Sequence, residues 1–300
     1  MSASILQLLV NGIALGAAYA LIALGFVLVI NAIGAVNFAQ GDLVMTGGFV
    51  AVILADWLIE SEAWTTWGLG VLVLPLTMVA MAALGILFSL FAYVPLRNRP
   101  PVSVFISTIA FGMMLQHGAN AAFGPDPRNG PPLIEAGMVS FGSVGVSLQQ
   151  ISVIVAATFL IGTTRVVLFQ TQFGRQLRAT AQDQEMAEAI GVDGFRSIGL
   201  TFALAVALAG AAGMLLSNQF FVTPTDGGVF MLKAYIAVTL GGWGRLDGAT
   251  VAAILIGIFE VMVAAVVSYV VAEALLYATL LLVLLLRPSG FLAESIQRRT

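Results

Sequence analysis

Long apolar runs separated by short polar stretches set the pattern of this chain. The runs cover residues 6–30, 42–59, 69–93, 102–123, 148–169, 197–218, 229–240, 249–267 and 269–286. Most approach the roughly 20 residues that a helix needs to cross hydrocarbon; 229–240 is short for a full crossing. The last two runs are nearly continuous and are split mainly by Ser268, Tyr269 and Glu273. Stretches 69–74 and 280–286 are apolar at every position, so they lack the period-two alternation of a membrane β-barrel strand. The pattern predicts an all-α, polytopic membrane bundle of about eight or nine transmembrane segments, some of them broken. It reads as a single transmembrane domain over residues 1–300, with no separate soluble domain. The two halves show no repeat that aligns residue by residue.

Composition strengthens this picture. Apolar residues make up 60% of the chain and charged residues 9%, against about 25% charged in a soluble domain. Glycine is abundant, at 32 of 300 residues, which suits helices that approach closely in lipid. Cysteine is absent, so thiol catalysis and thiolate metal sites are excluded. The first 41 residues carry no Asp, Glu, Lys, Arg or His. That start lacks the basic segment of a secretory signal, and its apolar run is too long for one. No basic patch suggests nucleic acid, and no cofactor motif is visible.

Charge then orients the bundle. With nine crossings, Arg97, Arg99, Arg165, Arg175, Arg178, Arg196, Arg245, Arg287, Arg298 and Arg299 share one side. Arg128 and Lys233 fall on the other, together with Asp56, Glu60, Glu62, Asp126, Glu135 and Asp226. Arginine-rich loops stay in the cytoplasm, so the N-terminus is expected outside and the C-terminus in the cytoplasm. The loop over 124–147 is then extracytoplasmic, and its prolines favour turns and extended backbone.

The cytoplasmic loop over 170–196 is the one long charge-rich stretch. Arg175 to Ile190 are good helix formers, and Gly191 suits a left-handed stop. Leu177, Ala181, Met186, Ala189 and Ile190 give this helix an apolar stripe. A helix resting on lipid headgroups would carry basic residues, whereas Asp183, Glu185 and Glu188 occupy its middle. A protein partner fits the acidic face better; a solvated loop without function is the alternative.

The segment Glu185-Met186-Ala187-Glu188-Ala189-Ile190-Gly191 resembles the Glu-Ala-Ala-x-x-x-Gly coupling signature of the membrane subunits of ATP-binding-cassette importers, with Met186 in place of the first Ala. A narrower resemblance runs along most of the chain. The helix from Asn11-Gly12 to Leu24-Gly25 is similar to the opening of the branched-chain amino-acid (LivH-type) permease family. Val36-Asn37-Phe38-Ala39-Gln40-Gly41-Asp42 is similar to its Asn-Phe-Ala-His-Gly-Glu signature, departing at Gln40 and Asp42. Gly174-Arg175 through Gly191, Leu240-Gly241-Gly242-Trp243-Gly244 through Ala249, and Leu286-Arg287-Pro288-Ser289-Gly290 follow in order.

This resemblance implies an importer permease of a bacterial inner membrane. Its implied partners are a homologous second permease, two cytoplasmic ATP-binding subunits and an extracytoplasmic solute-binding protein. It assigns Arg175, Arg178, Glu185, Ala187, Ala189 and Gly191 to contact with the ATPase. The implied solutes are branched-chain amino acids, with urea or short amides as an alternative. A stand-alone passive channel would have no use for a charged docking helix. The chain has no nucleotide-binding P-loop, and Lys233 is its sole lysine, so ATP hydrolysis must lie elsewhere. No nucleophile–base pair marks an enzyme.

Four residues are candidates for the solute pathway. Asn37, Gln40 and Asp42 lie at a break between two helices, where polar groups can face a cavity; simple capping and dipole compensation are the competing reading. Glu260 sits midway along an apolar run, where an ionisable group costs about 3 kcal/mol to insert, so it faces solute or a charged partner. Gly47-Gly48 and Gly241–Gly244 permit close backbone approach or unwinding, with ordinary packing as the bland reading. Lone His117 cannot form a metal site and is expected to be a packed, hydrogen-bonded residue. Glu273 is expected at the outer interface.

Overall fold

The computed structural model describes residues 2–60, 68–97, 99–134, 137–141 and 144–286. Among them are eight helices long and apolar enough to cross a membrane. They are α1 (Ser2–Ile33), α2 (Gln40–Glu60), α3 (Leu69–Phe88), α4 (Pro101–Phe123), α5 (Leu148–Gln170), α8 (Gly194–Phe220), α10 (Leu246–Val266) and α11 (Tyr269–Leu286). The shorter helix α9 (Gly227–Gly241) completes nine apolar segments at the places that hydropathy predicts. Two short helices, α6 (Gln172–Gln182) and α7 (Gln184–Ala189), join α5 to α8. The one departure from an all-helical fold among the described residues is a hairpin of β1 (Met138–Phe141) and β2 (Val144–Ser147), which pair antiparallel with Met138 opposite Ser147.

Local chemistry explains where the helices start and stop. Ser147 and Gln150 form a reciprocal capping box at the start of α5. Thr171, Asp183 and Asp193 cap α6, α7 and α8 by accepting from the amides of Gly174, Met186 and Arg196. After α3 the chain passes through a π turn (Ser89–Tyr93) and a 3-10 turn (Val94–Leu96). Pro95 in the latter has no amide to continue the helix.

The pairing of helices has an inverted symmetry. In each half a long helix (α1, α8) is followed by six non-helical residues (34–39, 221–226) and then by a helix that starts inside the bundle (α2, α9). Two further helices complete each half. α1 packs along α10 as α8 packs along α3, α2 packs on α8 as α9 packs on α1, and α2 meets α9. α5, α6 and α7 stand between the halves. The ends also sort. Arg165 pairs with Asp247 at the start of α10, beside α6, whereas Arg128 bridges Val222 just past the end of α8.

α1 and α10 cross with their backbones in contact. A Cβ at Gly16 would lie 2.6 Å from the Cα of Ile254, and one at Gly257 would lie 2.3 Å from the amide nitrogen of Gly16. Gly12 and Gly16, four residues apart, present bare backbone along one line of the helix, the small-xxx-small device that replaces hydrophobic attraction in lipid. A Cβ on Gly162 of α5 would meet only open space. Gly257→Leu should therefore cost more than the roughly 1–3 kcal/mol of ordinary overpacking, while Gly162→Leu should be close to neutral. Thermal unfolding of the two variants in detergent, read by the loss of the monodisperse peak, checks this; equal midpoints would contradict the crossing.

Candidate functional site

Three groups of side chains carry the candidate chemistry. The first lies where α2 begins. Gly34, with φ 65°, ends α1, and residues 34–39 lead the chain back beside it, so that Gln40 sits against Gly25. Asn37 and Gln40 are fully buried and touch, with Asn37 Nδ2 donating to Gln40 Oε1 at 3.4 Å. Asn37 Oδ1 accepts from the amide of Ala39, and Thr108 of α4 accepts from the amide of Phe38. These contacts supply acceptors to backbone donors that have no water to turn to. Gln40 Nε2 is buried and lacks a partner.

Asp42, two residues further, faces two other helices. A Cβ on Gly227, at the start of α9, would lie 2.0 Å from its Oδ1, and one on Gly112 of α4 would lie 2.3 Å from its Oδ2. Its carboxylate thus lies at the N-terminal end of α9, where the helix dipole favours negative charge. The two helix starts meet here: the carbonyl of Gly227 abuts Gly41 so closely that neither could carry a side chain. Capping accounts for Asn37, but the unpartnered Gln40 amide and the interior position of Asp42 leave polar capacity within the bundle.

The second group contains Glu260, which does not join the first three candidates. It is 1% exposed and accepts from Lys233 Nζ at 2.8 Å. The same ammonium donates to the hydroxyls of Tyr19 at 2.8 Å and Tyr269 at 3.0 Å, and Tyr19 donates to Glu260 at 3.3 Å. Glu273 lies 3.7 Å from Lys233. Helices α1, α9, α10 and α11 are thereby tied through one lysine. Lys233, within the short run 229–240, is 2% exposed in α9, which starts inside the bundle. Glu273 lies in the second turn of α11 with its side chain 22% exposed and is directed at the same cluster. A single lysine in an apolar run, matched by a single mid-helix glutamate, was the available signal for this pair.

The third group is the α6–α7 connection. It is not one helix over Arg175 to Ile190: Asp183, with φ −158°, breaks it and caps the second piece. The break also divides the apolar stripe. Leu177 is buried against the bundle, whereas Met186 and Ile190 are 67% and 79% exposed. Ala187 is buried and anchors α7. Glu185, Ala189 and Gly191 face outward, and Gly191 adopts φ 89°, the left-handed stop that its position suggested. Arg175 is exposed on α6, while Arg178 is half-buried, donates to the carbonyl of Leu168 and lies over the ring of Phe169. Beneath α6 is a cavity of about 380 Å³, bounded by Leu28, Asn31, Leu168, Arg178, Gly244 and Asp247.

His117 departs from expectation. It is exposed on a face of α4 that does not pack on the rest of the chain, and so is not a core residue. Arg287, Arg298, Arg299, Glu62, Glu135 and the segment after Leu286 lie outside the described residues. Among the described residues no cluster of His, Cys, Asp or Glu could hold a metal ion.

Eight membrane-length apolar helices, with two helix starts turned into the bundle, define a polytopic helical membrane protein. Comparison with known proteins narrows the class. The sequence model of a family described as branched-chain amino acid transport system / permease component matches residues 8–284. The chain is 32% identical over 296 residues, 96% of each chain, to the high-affinity branched-chain amino acid transport system permease protein LivH of Escherichia coli (strain K12). It is 31% identical over 294 residues, again 96% of each, to the corresponding permease protein BraD of Pseudomonas aeruginosa. A third relative is a probable branched-chain amino acid transport permease protein LivH of Methanocaldococcus jannaschii, 29% identical over 253 residues. The chain belongs to this permease family, whose members are transport subunits and not enzymes.

The buried ion pair yields a direct test. Removing one partner of a buried pair costs about 3–5 kcal/mol, because the other charge is stranded, whereas replacing both is near neutral. Lys233→Met alone should lower the unfolding midpoint in lipid nanodiscs strongly, and Lys233→Met with Glu260→Gln should regain much of the loss. Equal midpoints for the single and double variants would mean that the pair bears no such load.

Proposed function

We propose that this chain is the membrane-spanning subunit of an ATP-driven importer that carries branched-chain amino acids inward across a bacterial inner membrane. The α6–α7 end faces the cytoplasm in this reading, with the C-terminus on the same side and the N-terminus outside. A homologous second permease, two ATP-binding subunits and an extracytoplasmic solute-binding protein complete the assembly, with lipid around it. The solute assignment rests on the printed names of the relatives.

One observation carries the mechanism: among the described residues, α7 and its C-cap leave Met186 and Ile190 exposed, beside the exposed carboxylates Glu185 and Glu188. An apolar knob flanked by carboxylates suits a groove in a protein better than an anionic lipid surface. ATP binding moves such a groove, and the movement passes through α7 to the start of α8, where Asp193 caps the helix. α8 packs on α2 and α3, so a shift at its start rocks the half-bundle that holds Asn37, Gln40 and Asp42. Alternating access then follows as a change between two packings of the bundle, not as a continuous deformation. The cavity beneath α6 leaves room for that shift.

Glu185→Arg reverses a charge on the exposed face without touching the bundle, and Gly191→Pro forbids the left-handed turn that ends α7. In proteoliposomes containing the whole assembly, both variants should hydrolyse ATP with little or no coupled uptake, at unchanged unfolding temperature. Normal coupled uptake in both would refute the coupling role. Flux through this chain alone without ATP would instead indicate a passive channel.

A further inference from the structure

On the hairpin side of the Lys233 cluster is a cavity of about 310 Å³. Tyr19, Lys233, Tyr269 and Glu273 form its polar wall, and Phe220, Phe221, Val229 and Phe230 its apolar one. Asp226 also borders it, but its carboxylate already accepts from the amide and hydroxyl of Thr223, at 2.7 Å each.

Two carboxylate oxygens of this cluster have no donor, although the Tyr19 hydroxyl donates to Glu260 and the Tyr269 hydroxyl lies within reach of Glu273. A lysine ammonium has three protons, and those of Lys233 go to Glu260, Tyr19 and Tyr269. Glu273 at 3.7 Å receives attraction but no hydrogen bond from it. Glu273 Oε1 and Glu260 Oε2 are both buried without a partner, and the Glu260 side chain is 2% exposed. Charge is unbalanced in the same sense: one cation stands against two carboxylates in an apolar bundle, where unpaired charge is costly. One further cation able to donate hydrogen bonds would correct both shortfalls.

We infer that Glu273 is a binding point for the ammonium group of a small solute whose apolar side chain rests against Phe220, Phe221, Val229 and Phe230. The inference rests on the transport reading for the molecule that brings the ammonium there, and it deepens that reading by selecting solutes with a cationic nitrogen over neutral amides and simple carboxylic acids. Lys233 stays on Glu260 as the strut, and Glu273, at the open wall of the cavity, takes the ligand. The aromatic and aliphatic wall offers a branched chain of four or so carbons a dry contact of the kind that solute sites use.

The test uses the complete assembly in nanodiscs without the solute-binding protein. Isoamylammonium chloride and sodium isocaproate are titrated separately by calorimetry in excess sodium chloride. The wild type should bind the ammonium and not the carboxylate. Glu273→Gln should weaken that binding by roughly tenfold or more, since a charge-assisted bond is lost, and Glu273→Asp should keep part of it. No ammonium binding by the wild type, equal binding by Glu273→Gln, or displacement by sodium would overturn the inference. ATP-driven uptake is measured alongside with the same purified wild type reconstituted into proteoliposomes together with the solute-binding protein. If uptake is intact and ammonium binding absent, this inference fails while the transport reading stands; if uptake is absent too, the transport reading fails with it.

Discussion

A helix that begins inside an apolar bundle turns up to four unbonded N–H groups towards a medium with no water to receive them. This chain does so twice, at α2 and α9, and the two starts touch where Gly41 meets Gly227. Much of the polar content of the interior follows from that constraint. Asn37 and Thr108 supply acceptors to the chain entering α2, and the carboxylate of Asp42 lies against the start of α9. A transporter gains from the arrangement, because fixed dipoles and polar side chains are then held at depth without a continuous water-filled path.

The buried lysine serves the same architecture from the other face of α9. Because α9 starts at depth, Lys233 is held among α1, α10 and α11, and Glu260 and two tyrosine hydroxyls accept its three protons. The pair locks α9 to the α1–α10 crossing, where glycines bring backbones into contact. α1, α9, α10 and α11 are thus tied together. α8, packed with α2 and α3, receives the short helix α7 at its start. In the proposed mechanism a shift of α8 relative to the tied helices would alter the surroundings of Gln40 and Asp42.

Much of this was legible in the sequence, for reasons that can be named. Hydropathy located nine segments because lipid-facing and core-facing positions are both apolar, so burial leaves no periodic trace to misread. Gly191 was legible because a left-handed stop has few residue choices. Other features were not. The break at Asp183 was missed because every residue from 175 to 190 tolerates a helix, and a cap inside such a run adds no contrast. Lys233 was sorted only by side, because charge sorting does not tell which partners a lysine inside an apolar run will meet. His117 was read as a packed, hydrogen-bonded residue because a lone polar residue in an apolar run does not reveal which face it occupies. The inverted pairing of the halves left no alignable repeat, since packing symmetry constrains helix order and length far more than residue identity.

The account stands or falls on α7 being a handle grasped from the cytoplasm. The chain has no cysteine, so Met186→Cys would introduce a unique thiol on its exposed face. Cross-linking of that thiol in the assembled transporter, with and without ATP, tests the claim directly. A cross-link to the ATP-binding subunit whose yield changes with nucleotide is the predicted result; labelling of the thiol in intact cells by a membrane-impermeant maleimide would contradict it.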